Sequence, residues 1–407
     1  MTKILKFTSV LVFRILNVLS NAVVGIILAR QLDLADRGHV AVLTSIIGVA
    51  VVVISSPRGE EILRSREEFS NSEKTKTISL NMVHCIFVLI VSLGWIYGAG
   101  NVKVSPIDTM LICTLIVASS LNSLEQAILF LKFKSLGNQL IMTLHAMVLL
   151  SFLVILFLNF TPGIKAWLCA FLIAEILLLA ALHKLNTDTK IVINWKIRIQ
   201  NKKNHDLEKR PKLEIISVYQ GAFFLQILTI LVSVSLHVES IAFFAIGMTL
   251  TSLMSLPINP FLPQILSESD EVTKLIRRLS VQKVFLTLCL TIVYVCFLKY
   301  LYQILIPMFY GQKYLPLVKA VPMIVMSGLM LGALNVVSSI FRGNRNFLLS
   351  VIVYSLAITI FGFELAIFGD SILEIRQLFT YLFLSFAIPV FVGGILLFSA
   401  KKLNLQS

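Results

Sequence analysis

The sequence predicts an all-α polytopic membrane protein with about twelve transmembrane helices, set out as two six-helix lobes related as parallel repeats. Three observations carry the prediction. Apolar residues make up 57% of the chain and charged residues only 14%, with a mean hydropathy of +0.90. Soluble domains carry roughly 25% charge, and a globule of this composition would leave large apolar patches in water. Apolar stretches of the length that crosses the hydrocarbon core, about 20 residues, recur along the whole chain. One long basic stretch in the middle divides them into equal sets.

The twelve expected spans lie near residues 7–29, 39–57, 78–98, 107–131, 139–160, 164–183, 214–236, 240–262, 282–302, 317–340, 347–368 and 377–399. Span 1 follows Lys3 and Lys6, a flank like that of a signal peptide, but its apolar stretch runs to Ala29 without a small-residue cleavage site. It is expected to be retained. Pro57 and Gly59 are expected to break span 2 at its inner end. Pro257, Pro260 and Pro263 predict a bent or broken end to span 8. Span 9 is bracketed by Lys283 and Lys299; its continuation, "YLYQILIPMFYGQKY", is expected to stay helical and then lie at the interface, where tyrosines are favoured. The five cysteines sit in or beside apolar runs without metal or redox spacing and read as small core residues. Gly328 and Gly332 in span 10 would allow close helix packing.

Lys and Arg bias sets the orientation. With the amino terminus inside, the inward segments hold 26 Lys and Arg and the outward segments 8, with Arg14 the remaining one of 35. Both termini are therefore expected in the cytoplasm. Most of the net charge of +14 is expected to face the anionic inner leaflet, so no nucleic acid is needed to explain it. The chain divides into an amino-terminal lobe (1–183), a basic cytoplasmic linker (184–213) and a carboxy-terminal lobe (214–407). Six spans per half start both halves on the same side, as parallel repeats do. Within the linker, Ile191, Ile193, Trp195, Ile197 and Ile199 alternate with more polar positions, which predicts either a short strand on the lipid surface or a solvated connection.

No P-loop, dinucleotide fingerprint or nucleophile elbow is present. Ser280 and Lys283 form a lone S-x-x-K without companion motifs, and no two of the six histidines stand at a metal-ligand spacing. Outward loops are short. No enzyme, cofactor or metal is therefore expected. What remains are ionisable residues inside spans, which cost about 2.5–3.5 kcal/mol each and either pair internally or line a pathway. Glu175, at the centre of span 6, and Glu125, in span 4, are candidates for proton coupling; Glu364 in span 11 is a third buried acid. Arg14, Asn17, Asn21 and Gly25 recur on one face of span 1. Arg14 either faces a cavity or snorkels toward Lys6, roughly 12 Å away along the helix. Gln226 belongs to a milder polar face in span 7 with Tyr219 and Ser233. Arg58, with Glu60 and Glu61, is either a surface charge or an inner docking point for an anionic headgroup. The substrate-binding candidates are thus Arg14, Asn17, Asn21, Arg58 and Gln226.

Three stretches carry a family likeness. "ILARQLDLADRGHVAVLTSI" (27–46), "ESIAFFAIGMTLTSLMSLPINPFLPQIL" (239–266) and "PMFYGQKYLPLVKAVPMIVMSGLMLGALNVVSSIFRGNRNF" (307–347) resemble connections in the O-antigen flippases of the multidrug/oligosaccharidyl-lipid/polysaccharide (MOP) exporter superfamily. That resemblance implies translocation of an undecaprenyl-pyrophosphate-linked oligosaccharide across the bacterial inner membrane by alternating access. It also implies partners among membrane lipids and other polysaccharide-assembly proteins. A multidrug exporter of the same superfamily is the alternative, and a membrane polymerase or ligase a more distant one.

The charge asymmetry makes a direct prediction. Reporter fusions after Lys203 and after Lys402 report cytoplasm, and a fusion near Asn101 reports the outside; a cytoplasmic signal at Asn101 would overturn the map.

Overall fold

The computed structural model describes residues 2–64, 76–98, 104–185, 189–194, 212–255, 281–369 and 374–403. It is almost wholly helical and divides into two compact units, Met1–His205 and Asp206–Ser407. Among the described residues, eight stretches are long and apolar enough to cross a membrane. Four shorter apolar helices, Leu19–Gln31, Cys85–Gly98, Phe223–Ser235 and Val238–Met254, fall where spans 1, 3, 7 and 8 are expected. The chain is a multi-pass membrane protein.

The first unit contains α1 (Thr2–Gln31), α2 (Leu34–Arg64), β1 (Lys76–Asn81), α3 (Met82–Gly98), α4 (Pro106–Asn159), α5 (Ile164–Leu185) and β2 (Thr189–Asn194). Three features differ from the sequence reading. Helix α2 runs on through Pro57 and Gly59 to Arg64, so the expected break is absent. Residues 76–81, in part assigned to span 3, form a strand paired in parallel with 189–194, with Ile78 level with Ile191 and Leu80 with Ile193. The alternating linker segment is thus a strand over its first part. Spans 4 and 5 share one helical run, Pro106–Asn159.

That run cannot be straight. Asn122 and His145 both reach Glu175 on α5, yet 23 residues of straight helix would hold them about 35 Å apart. The backbone doubles back while remaining helical, so α4 has two limbs. Leu129, Leu178 and Leu182 form a buried cluster, with Ile141 of the returning limb packed against it. On the outer face of the returning limb, the Thr143 hydroxyl donates to the Phe13 carbonyl of α1 at 2.8 Å.

The second unit contains α6 (Lys212–Ser235), α7 (Val238–Ser255), α8 (Val281–Tyr310), a 3-10 turn (Gln312–Tyr314), α9 (Leu315–Gly343), α10 (Phe347–Phe368) and α11 (Ile375–Leu403). The three prolines expected to bend span 8 lie outside the described residues. Its ninth span remains helical to Tyr310, as expected. Gly311 follows with φ of 97°, a conformation that excludes most side chains and lets Tyr314 turn into the core, where it is fully buried. After α9 the left-handed residue is Arg345, not Gly343, which still belongs to the helix.

Each unit repeats one packing plan. Span 1 bonds to span 5 through Thr143 and Phe13; span 7 bonds to span 11 through Gln220 Nε2, which donates to Ser355 Oγ at 2.7 Å. Span 4 bonds to span 6 through Asn122 and the Glu175 carbonyl; span 10 bonds to span 12 through Ser327 Oγ and the Phe379 carbonyl, at 3.4 Å.

Gly328 is used within its own lobe. A Cβ there would meet the Thr251 carbonyl at 2.6 Å, and the Met254 side chain also lies in its way. Gly328→Ala is therefore expected to destabilise the detergent-solubilised protein by about 1–3 kcal/mol, the usual cost of overpacking. Gly94→Ala, with nothing within 4 Å, should leave the melting temperature unchanged or slightly raised.

Candidate functional site

The first limb of α4 starts at a defined point. Pro106 opens the helix, and Ser105 and Asp108 form a reciprocal cap: the Ser105 hydroxyl accepts from the Asp108 amide at 3.3 Å, and Asp108 Oδ2 accepts from the Ser105 amide at 3.0 Å. Sixteen residues further, roughly 24 Å along the axis, Asn122 enters the interior of the lobe. Glu125 follows on the same face, one turn deeper.

Asn122 is buried and donates from Nδ2 to the Glu175 carbonyl at 2.8 Å and to Glu175 Oε2. Glu175 lies eleven residues into α5, about 17 Å from its start and so near mid-membrane. Its second oxygen, Oε1, stands 3.5 Å from His145 Nε2 on the returning limb. Eight residues on, His183 Nδ1 stands 3.6 Å from Glu125 Oε1. The two pairs differ in their exposure. Glu125 and Glu175 keep only 2% and 8% of their side-chain surface, and His145 14%, whereas His183 is 73% exposed. The cluster therefore runs from a fully enclosed carboxylate to an open imidazole.

A buried carboxylate is tolerated only with partners; removing one partner from such a pair costs about 3–5 kcal/mol when the charge is left behind. The second unit packs rings where its spans 8, 11 and 12 meet: Phe379 is set into the hollow of Gly247 and stacked on Phe244, which also stacks on Phe361, at centroid distances of 5.9 and 6.0 Å. In the first unit, enclosed ionisable groups meet between spans 4, 5 and 6. Ionisable groups enclosed within spans are functional candidates.

The structure thus brings together Glu125 and Glu175 from the sequence candidates, and adds Asn122, His145 and His183. The histidines looked scattered because their acids are 58 and 30 residues away in sequence. The one linear hint was Asn122 with Glu125, three apart within an apolar run.

Other candidates are placed separately. Asn21 Nδ2 donates to the Asn17 carbonyl and to Asn17 Oδ1, at 2.9 and 3.0 Å, so the two amides form one ridge on α1. Asn21 is exposed, and nothing lies within 4 Å of a Cβ at Gly25. Arg14 lies in α1 beside Phe13 and hence level with Thr143; its side chain, like that of Arg58 in α2, is outside the described residues. Gln226, half-buried on α6, has a buried Oε1 with no hydrogen-bond partner among the described residues, and the same holds for Glu364 Oε2 on α10. Among the described residues, no group of three or more His, Cys, Asp or Glu is placed to hold a metal ion.

No protein-family model and no curated protein matches the chain. Solved structures do. An inward-facing multidrug resistance transporter of the MATE family, in the MOP superfamily, is similar with a TM-score of 0.56 and 13% identity, over 99% of this chain and 96% of its own. A MATE structure in complex with MaL6 is similar with a TM-score of 0.50 and 11% identity, over 97% and 94%. At such identity the likeness is one of fold: the chain has the twelve-helix, two-lobe fold of the MATE transporters of the MOP superfamily.

Proposed function

We propose that the protein is a secondary exporter of the MOP type, working by alternating access in the cytoplasmic membrane with both termini inside, and that proton exchange at Glu175 is coupled to transport. The observation that supports this most is the enclosed Glu175, which accepts from Asn122 and faces His145 Nε2 at 3.5 Å. A carboxylate paired with an imidazole can change its charge by one proton without leaving the interior. Glu125 is the second proton-coupling candidate.

Two cargoes are in view. A multidrug-type substrate has the support of the solved structures of this fold, one of which is described as a multidrug resistance transporter. The buried acids of the first lobe also have the sign that attracts organic cations. A lipid-linked oligosaccharide is favoured by the stripe on α1, where Arg14 shares a face with the bonded amides Asn17 and Asn21. Arginine stays charged and forks two hydrogen bonds onto phosphate oxygens; the amides would bind sugar hydroxyls. Arg58 and Gln226 are further candidates for contact with cargo.

Deleting the gene from its host separates the two. Heightened sensitivity to lipophilic cations with intact surface polysaccharide supports drug export. Loss of polysaccharide with accumulation of the lipid-linked repeat unit supports the flippase, and Arg14→Ala should then reproduce the loss while the protein still reaches the membrane. Neither phenotype would sink the exporter proposal.

For the coupling step, Glu175→Gln is expected to lower gradient-driven transport at least about tenfold, the lower range for a positioned proton-transfer group. Normal transport with an unchanged pH dependence excludes proton coupling at this residue.

A further inference from the structure

The polar cluster has an open end, and this gives the proton on Glu175 a place to go. We infer that Glu125 and His183 form the mouth of a path by which Glu175 releases its proton to the cytoplasm. The inference rests on the proposal that Glu175 exchanges a proton during transport.

His183 is 73% exposed while its partner Glu125, 3.6 Å away, keeps 2% of its side-chain surface. An exposed imidazole in contact with an enclosed carboxylate is an arrangement that can carry a proton out of an interior, because one ring nitrogen accepts while the other donates. His183 sits in the last turn of α5, beside Lys184 and ahead of the basic linker, at the end that the charge bias places in the cytoplasm. From Glu175 to His183 the rise is eight residues, about 12 Å, too far for one transfer. Asn122 and Glu125 stand between. Asn122 is buried, its Nδ2 is taken by Glu175, and its Oδ1 has no hydrogen-bond partner among the described residues. An amide acceptor left open in this way can take a hydrogen bond from a buried water.

The transfer balances. Protonated Glu175 gives its proton through water to the Glu125 carboxylate, which passes it to neutral His183. The imidazolium then releases it to cytoplasmic water. Glu175 is left as a carboxylate, and Glu125 and His183 return to their starting forms. The titratable groups in contact along the path are Glu125 and His145 from α4 and Glu175 and His183 from α5. Two neighbouring helices also bring charge near. On α1, which packs on α4, Arg14 lies level with Thr143. Helix α2, which packs on both α4 and α5, carries Arg58, Glu60 and Glu61 toward its inner end and Asp36, Arg37 and His39 toward its outer end.

The test needs no substrate. Purified full-length protein is jumped from acid to alkaline pH in weak buffer, and loss of the protonated-carboxyl band is followed by time-resolved infrared absorption. His183→Ala, a change at an exposed position, is expected to slow the loss at least about tenfold. Added imidazole should restore the rate, which a merely structural defect would not allow. Glu125→Gln should slow it without rescue by imidazole. Release at the wild-type rate in His183→Ala overturns the mouth. If instead the band itself survives in Glu175→Gln, the exchanging carboxyl lies elsewhere, and the coupling proposal fails together with this one.

Discussion

A chain inside a bilayer has no water to satisfy its backbone, so every peptide group must be bonded within a helix or a closed barrel. Most of this structure follows from that constraint. The backbone of α4 stays helical while it reverses between two limbs, and α8, α9 and α11 carry Pro307, Pro322 and Pro389 without ending. Hydroxyls turn back onto their own helices, as Thr44 does to the Val40 carbonyl and Ser120 to that of Ile116. Side chains that cannot be satisfied locally must find each other across helices. Glu175 is the strongest case: its carbonyl and one oxygen are taken by Asn122, and its other oxygen faces His145.

The two units share a plan and differ in what fills it. Polar contacts join spans 1 and 5, and 4 and 6, in the first unit, and spans 7 and 11, and 10 and 12, in the second. The first unit encloses paired ionisable groups, and the second packs Phe244, Phe361 and Phe379 against one another. Neutral polar contacts in the second unit include Tyr354, which donates to Asn335 Oδ1 at 2.9 Å, and Ser338, which bonds Ser350 at 2.6 Å. Among the described residues the carboxylate–imidazole pairs thus belong to the amino-terminal lobe, and the carboxy-terminal one contributes Glu364 as a half-buried acid.

Much of this was legible in the sequence, because hydropathy alone marks where a helix can cross. The spans fall where expected, and Glu125 and Glu175 stood out as acids in apolar runs. What the sequence hid depends on rotation and register. His145 reaches Glu175 only because α4 doubles back, and the segment that reverses, "LFLKFKSLGNQL", looks like an ordinary loop. Strand β1 was hidden because "KTISLN" is as apolar as a frayed helix start, and its partner lies more than a hundred residues away. Gly328 read as a point of close helix packing, since small residues signal such packing without saying with what; the near neighbours are Thr251 and Met254.

The central claim is that the polar layer of the amino-terminal lobe serves transport and not assembly. Making that layer apolar at similar volume tests it most directly: Asn122→Leu, His145→Phe and Glu175→Leu in one chain, measured for thermal unfolding and for complementation of the gene deletion. The account predicts a protein that inserts and melts close to the wild type but fails to complement. Full complementation by the apolar variant would contradict it.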